Sequence, residues 1–324
     1  EFVPDVDIHS DASVELNSLY LLAKKIFESR EQTETLPDES LTMQSLYEVG
    51  TSAGGQHLKA IIAINDKTQE IRSGQIELPK DYTYYLLRFA EGADFPFTQV
   101  EMAYYLMATE AGINMMPSRL IKVDGKQHFL TQRYDRTCGK KVHTQTLAAM
   151  NPDATSYEDL MNVSRKLNIP QNEQTELFRR MVFNVLGANV DDHIKNFSFM
   201  MNTDGKWHIT PAYDLSFTTN LSGLTYENVH SMTIQGKNDH ITVDTLIDFA
   251  KINGIKNEKK IICQVAAAIS NFRKYALMYQ IDEHWIDRIE EHLSKLLPAE
   301  FSQRMTGYKP TIVEPYVVEN ILSV

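Results

Sequence analysis

An apolar helical stripe that runs straight into a dense polar cluster constrains this chain more than any other feature. Leu177, Phe178, Met181, Val182, Val185 and Leu186 recur at helical spacing and lead into Gly187-Ala188-Asn189-Val190-Asp191-Asp192-His193-Ile194-Lys195-Asn196. A stripe this apolar belongs in a core. Polar groups massed at its end cost free energy unless they pair, bind metal or do chemistry. A strand over 197–201, an Asn202-Thr203-Asp204-Gly205 turn and a second strand over 206–210 follow, ending at Pro211-Ala212-Tyr213-Asp214. Such a hairpin carries Asp214 back toward Asp191 and Asn196.

The spacing Asp191-x-x-x-x-Asn196 matches the catalytic loop of kinases, where the aspartate orients the attacking hydroxyl and the asparagine holds a metal ion. Asp214 then takes the place of the second metal-binding group. The competing reading is a polar network that merely closes a helix end. It accounts easily for one carboxylate and poorly for three metal-suited groups on a helix, loop and hairpin. The residues point to phosphoryl transfer from ATP.

Length and charge narrow the remaining classes. A chain of 324 residues has ample core for one large two-lobed domain or two modest ones. The net charge of −11 and a pI of about 5.4 oppose a strong nucleic-acid surface. Cys138 and Cys263 suit a reducing compartment better than a disulfide framework. No apolar run approaches the roughly 18 residues a membrane helix needs, and no signal peptide is visible. A cytoplasmic protein without a membrane partner is expected. Ten histidines invite a metal reading, but none shows H-E-x-x-H spacing, and no G-x-S-x-G elbow is present.

Along the chain, helix patterns over 16–29 and 40–47 precede Thr51-Ser52-Ala53-Gly54-Gly55-Gln56-His57-Leu58-Lys59, with a strand over 60–65 at once behind it. Small residues let backbone amides approach a phosphate, and Lys59 adds charge; an ordinary glycine turn is the alternative. A strand over 84–89 carries Arg88 as its one charge, where kinases place a phosphate-gripping lysine paired with a helix glutamate. Glu101, near the start of a helix over 97–111, is the candidate partner, although Thr98-x-x-Glu101 is equally a capping box. A hairpin over 118–134 turns at Asp124-Gly125 and ends in Gln132-Arg133-Tyr134-Asp135-Arg136, followed by a glycine-containing linker, Thr137-Cys138-Gly139-Lys140. Two-lobed kinases place their hinge there. The division is therefore drawn as an N-terminal lobe over 1–137, with the Gly-rich loop and hinge, and a helical C-terminal lobe over 138–324. Helices are expected over 172–187, 242–252, 257–279 and 283–297.

Taken together, these stretches resemble the HipA-type toxin kinases, serine/threonine protein kinases of toxin–antitoxin modules. The resemblance rests on Thr51–Gly55, Leu87-Arg88-Phe89, Gln132–Arg136, Asp191–Ser198 and Thr210–Asp214, and spans nearly the whole chain. It implies an α+β, two-lobed kinase-like fold with a β-rich N-lobe and a mainly helical C-lobe, and it implies ATP and Mg²⁺ as cofactors. Asp191 is then the catalytic base, and Asn196 and Asp214 hold the metal. His193, Lys195 and Tyr213 line the nucleotide loops, Gln132, Arg133 and Tyr134 contact adenine, and Ser52, Ala53, Gly54 and Gly55 cover the triphosphate with Lys59. Arg88 and Glu101 complete the nucleotide set. Inhibitory autophosphorylation falls on Ser52, with Thr51 beside it. The implied partners are a protein substrate, which for known members includes an aminoacyl-tRNA synthetase, and a HipB-like DNA-binding antitoxin.

Two departures stand out. Arg88 occupies a position where the family usually has lysine, and the two cations differ in shape and reach at a phosphate. Glu1-Phe2-Val3-Pro4 is similar to the end of the family's N-terminal subdomain, which implies that this subdomain is removed here or supplied as a separate protein. The alternative function is a weakly active or inactive pseudokinase that binds an antitoxin.

Overall fold

The computed structural model describes residues 58–90, 94–123, 125–137, 140–221 and 228–299. The expected helices over 16–29 and 40–47 and the stretch Thr51–Gly55 lie outside the described residues. The described residues divide into two compact units, one containing those up to Thr98 together with Pro117–Lys141, the other Gln99–Met116 and the described residues from Val142.

The first unit is a five-stranded antiparallel sheet. Its strands are β1 (Lys59–Asn65), β2 (Ile71–Ser73), β3 (Tyr82–Arg88), β4 (Ser118–Val123) and β5 (Lys126–Gln132), in the order β2-β1-β3-β5-β4. The β-branched run of β1 is buried at every position, as befits a strand flanked by two others and covered on its faces. Between β2 and β3 the chain folds over the sheet. Its anchor is the Tyr84 hydroxyl, which accepts from the Leu78 amide at 2.9 Å and donates to the Ile76 carbonyl at 3.1 Å. Gly74 permits that crossing: a Cβ there would lie 2.8 Å from the Ile62 carbonyl oxygen, closer than any side chain tolerates. After β5, two short strands, β6 (Arg136–Thr137) and β7 (Lys140–Lys141), pair antiparallel, so the stretch expected as an open linker is bounded by a small ribbon.

The second unit is mainly helical. Helix α1 (Phe97–Glu110) stops at Gly112, whose φ of +80° only glycine adopts freely. A three-stranded sheet, β10-β9-β8, joins β8 (His143–Thr146), β9 (Ser198–Met201) and β10 (Trp207–Ile209). Two helices follow β8: α2 (Leu147–Met150) and α3 (Tyr157–Lys166), the latter started by a capping box between Ser156 and Asp159. Helix α4 (Gln171–Leu186) is buried continuously from Leu177 except at Arg179. Behind it lie α5 (Val243–Ile252), α6 (Glu258–Ile269), α7 (Phe272–Met278) and α8 (Glu283–Leu296). Thr242 caps α5 by accepting from the Thr245 amide, as its sequence position predicts.

One expected element is corrected. The helix expected over 257–279 is two helices, α6 and α7, separated at Ser270 and Asn271. There the Ser270 hydroxyl donates back to the Ala267 carbonyl at 2.7 Å and the Asn271 amide reaches Glu110 at 2.8 Å. Short polar side chains of this kind offer the backbone alternatives to a continuous helix. Thr98 lies one residue inside α1 and its hydroxyl donates to the Gln127 carbonyl at 2.6 Å, which places it past the N-cap position that a box with Glu101 requires.

Tyr104 of α1 ties the start of the motif loop to the core. Its hydroxyl, fully buried, donates to the Gly187 carbonyl at 2.6 Å. Tyr104→Phe leaves that carbonyl buried without its donor, and chemical denaturation should show a loss of about 1–3 kcal/mol in stability.

Candidate active site

Helix α4 does two things to the polar cluster at once. Its C-terminal end releases the loop at Gly187, where the chain turns through Ala188 at a left-handed φ of +53°. Its exposed N-terminal turn meanwhile grips the returning strand β10. Glu173 is 2.7 Å from His208 Nδ1 and accepts from the Ile209 amide at 2.8 Å. Arg180, buried and held by Glu176 at 3.2 Å, donates to the Thr210 carbonyl at 2.9 Å. One more link fixes the end of the hairpin: Ala212 donates to the Asn114 carbonyl at 2.8 Å. Tyr213 and Asp214 follow directly.

The hairpin therefore delivers Tyr213 and Asp214 to the loop. The Tyr213 hydroxyl donates to the Lys195 carbonyl at 2.8 Å and lies 2.5 Å from the Ser198 hydroxyl. Asp214 stands at a left-handed φ of +56°, a conformation that aspartate enters at a small cost and that clusters at functional sites. Its carbonyl is 3.5 Å from the Asn189 amide nitrogen, and Asn189 in turn donates to Asn184 at 2.9 Å.

Asp191 itself is pinned through its backbone. Its amide and that of Val190 both donate to the Thr218 hydroxyl, at 3.1 and 2.8 Å, and that hydroxyl donates to Asn189 Oδ1 at 3.3 Å. The Asp191 carbonyl accepts from Asn196 Nδ2 at 2.9 Å. With the backbone held from both sides, the carboxylate stands in solvent. Partial burial raises its pKa above the ordinary aspartate value; the nearby charge of His193 lowers it, and the charges of Asp214 and Asp192 raise it. His193 Nε2 is 3.8 Å from the Asp191 carboxylate. The Asp214 charge is thus near enough to raise the Asp191 pKa.

Asp192 is the opposite case. Its side chain has 0% exposure and accepts from the Tyr157 hydroxyl at 2.6 Å, His230 Nδ1 at 2.9 Å and the Ser231 amide at 2.8 Å. Neither Asp192 in this role nor Thr218, Tyr157 or His230 was legible as a site residue. Their partners are tens of residues away, and no spacing rule links them. The one available signal was the doubled aspartate itself, since a second carboxylate beside a reactive one needs its own partners.

In the first unit, Lys59 and Arg88 are directly opposite each other across β1 and β3, so both project from the same side of the sheet. Lys59 is buried and Arg88 half-buried. Like charges placed opposite each other repel unless an anion or acidic group compensates them. Gln132 ends β5, its amide donating to the Pro117 carbonyl at 3.0 Å, and Arg133 closes a two-pronged pair with Asp135 at 2.8 and 2.6 Å. Asp135 also holds Arg136 at 2.9 Å. Tyr134 lies in the turn between them. Glu101 is buried on α1 in the second unit. Ser52, Ala53, Gly54, Gly55 and Thr51 are outside the described residues.

Oxygen donors dominate this set. Among the described residues no three His, Cys, Asp or Glu side chains cluster as a metal cage. With Asn196 Nδ2 committed to the Asp191 carbonyl, the amide's other polar atom is an oxygen acceptor. One carboxylate and one amide oxygen are hard donors, of the kind that suit Mg²⁺, Ca²⁺ or Mn²⁺.

Comparison with known proteins bears on the family and the fold. The HipA-like C-terminal domain family model matches residues 51–272. A Haemophilus influenzae protein provisionally named a kinase is 26% identical over 142 residues, covering 37% of this chain and 41% of its own length. The chain thus spans less than half of that curated relative. Among solved structures, HipA of Shewanella oneidensis, determined as a toxin–antitoxin complex with HipB and operator DNA, superimposes with a TM-score of 0.61 at 16% identity, over 95% of this chain and 75% of that one. The Helicobacter pylori proinflammatory kinase CtkA gives 0.41 at 12% identity over 69% of this chain and 85% of that one. The fold shared with HipA, built here from a β-rich and a helical unit, bears out the expected α+β kinase-like class.

The carboxylates of Asp191 and Asp214 can be tested directly. In the metal-free protein, carbon-detected NMR titration of Asp191 should show its pKa fall in Asp214→Asn, which removes a repelling charge, and rise in His193→Gln, which removes an attracting one. An Asp191 titration indifferent to both changes would separate these groups.

Proposed function

We infer the activity of this chain from its family and its loop geometry together: it belongs to the HipA-like C-terminal domain family, and it is an ATP- and Mg²⁺-dependent serine/threonine protein kinase. The observation that supports this reading is the convergence of the Asp191–Asn196 loop and the hairpin end that carries Asp214, joined through Asn189 and through Tyr213 and Lys195. Asn196 bonds the Asp191 backbone, Asp214 acts on the Asp191 carboxylate, and Tyr213 closes the hairpin on Lys195.

In the proposed reaction Asp191 accepts the proton of a serine or threonine hydroxyl as that oxygen forms a bond to the γ-phosphorus. The bond from the γ-phosphorus to the bridging oxygen breaks, and ADP leaves with the electron pair. Asn196 and Asp214 are the residues that would hold Mg²⁺, which when bound neutralises charge on the phosphates. His193 and Lys195 belong to the same loop, where the Lys195 ammonium and the His193 ring N–H are donors suited to phosphate. Lys59 and Arg88 are the phosphate-binding cations we assign to the sheet, with Lys59 compensating for the arginine at the position of the usual lysine. Glu101 is assigned to the charge balance of that set, Gln132 to Tyr134 to adenine, and Ser52 to Gly55 to the triphosphate. A toxin role follows from the family, with a HipB-like antitoxin as partner and autophosphorylation at Ser52 or Thr51 as its brake.

Incubation with labelled ATP and Mg²⁺ should label the chain, with mass spectrometry finding phosphate on Ser52 or Thr51. Asp191→Ala should lower the rate by roughly 10²- to 10⁴-fold. A wild-type protein that gains a nucleotide-dependent rise in melting temperature but never a label would instead be a pseudokinase.

Lys59→Met should weaken nucleotide binding about tenfold or more, the equivalent of losing one charged hydrogen bond, as read by calorimetry. Binding unchanged by this substitution would remove Lys59 from the site.

A further inference from the structure

Asp192 is a wholly buried carboxylate that the reaction does not use. Burying such a group is costly unless its oxygens are matched by donors, and three donors from two distant elements match it. Tyr157 comes from α3, where its hydroxyl also accepts from the Asn184 side chain at 3.0 Å. His230 and Ser231 come from the segment that precedes α5. This segment is bound a second time, because the Ser231 amide and hydroxyl lie 3.0 and 3.1 Å from the Val190 carbonyl. A third link runs through Thr233, whose amide donates to the Thr155 carbonyl at 2.9 Å, just ahead of Tyr157.

These bonds share a consequence. Val190 is the residue before Asp191, and Asp192 the residue after it. The two flanks of the reactive aspartate are thus clamped by one segment, at His230 and Ser231, while its own amide is held by Thr218. The carboxylate of Asp192 accepts, so His230 carries its proton on Nδ1. The other two donors are the Tyr157 phenol and the Ser231 amide.

We propose that Asp192, with His230 and Ser231, is a positioning latch that couples the seating of the segment around residues 228–233 to the orientation of Asp191. Asp192 and His230 touch no reacting atom; they act through Asp191. The role in turnover rests on the kinase reading above, whereas the latch itself does not.

The test uses the full chain and two measurements. First, amide hydrogen exchange of nucleotide-free protein should show Ser231 protected in the wild type and in His230→Asn, whose amide NH₂ replaces the Nδ1 donor. Protection should be lost in His230→Leu and in Asp192→Asn. Second, kinetics should show kcat falling about tenfold or more in His230→Leu, as expected when a catalytic group is misplaced, with KM for ATP changed by less than about twofold and kcat recovered in His230→Asn. Loss of protection without any change in kcat would overturn the coupling, and unchanged protection in both His230 variants would overturn the latch. If the wild type never transfers phosphate but the exchange pattern holds, the kinase reading fails while the latch stands. Should Asp192→Asn not fold, the His230 pair carries the test alone.

Discussion

The burial of the polar end of one helix governs the second unit. Asn184, Asn189 and Asp192 are almost inaccessible to water, so each polar atom they carry must find a protein partner. Asn184 takes Tyr157 and Asn189; Asn189 takes Thr218 and reaches Asp214; Asp192 takes Tyr157, His230 and Ser231. Satisfying those few groups fixes the path of three separate segments around Asp191. A partly matched network here would be worse than an apolar one, which gives the loop a single arrangement.

Rigidity of this kind is what a transfer site requires. Two reactants gain most when the catalytic group is already aimed, because the entropy of orientation is lost on folding and not at the moment of reaction. Here the aim is set by backbone contacts at Val190 and Asp191, which leave the Asp191 carboxylate itself exposed. Helix α4 reinforces the arrangement from its other end, since Glu173 and Arg180 hold the strand that returns Asp214. A single buried helix thereby emits one half of the loop pair and clamps the other.

Local patterning carried the fold a long way. The stripe from Leu177 to Leu186, the turn at Asn202–Gly205, the Thr242 cap and the Gly112 stop all act through neighbours within a few residues, which is why spacing alone places them. The break at Ser270 and Asn271 escaped because the apolar stripe continues across it, while the groups that favour the break, Glu110 among them, are far away in sequence. The motif aspartates and Asn196 were legible as a constellation. Thr218, Tyr157 and His230 were not, since each acts through a tertiary contact with no local signature. The opposition of Lys59 and Arg88 needed strand register, which the two strand patterns did not supply.

The proposed chemistry requires Asp191, Asn196 and Asp214 to serve one cation-bound nucleotide. A crystal structure with Mg²⁺ and a non-hydrolysable ATP analogue tests this most directly. It should show side-chain oxygens of Asn196 and Asp214 at about 2.0–2.1 Å from the ion, with the Asp191 carboxylate facing the γ-phosphate side. An ion held elsewhere, or a nucleotide that leaves these three side chains untouched, would contradict it.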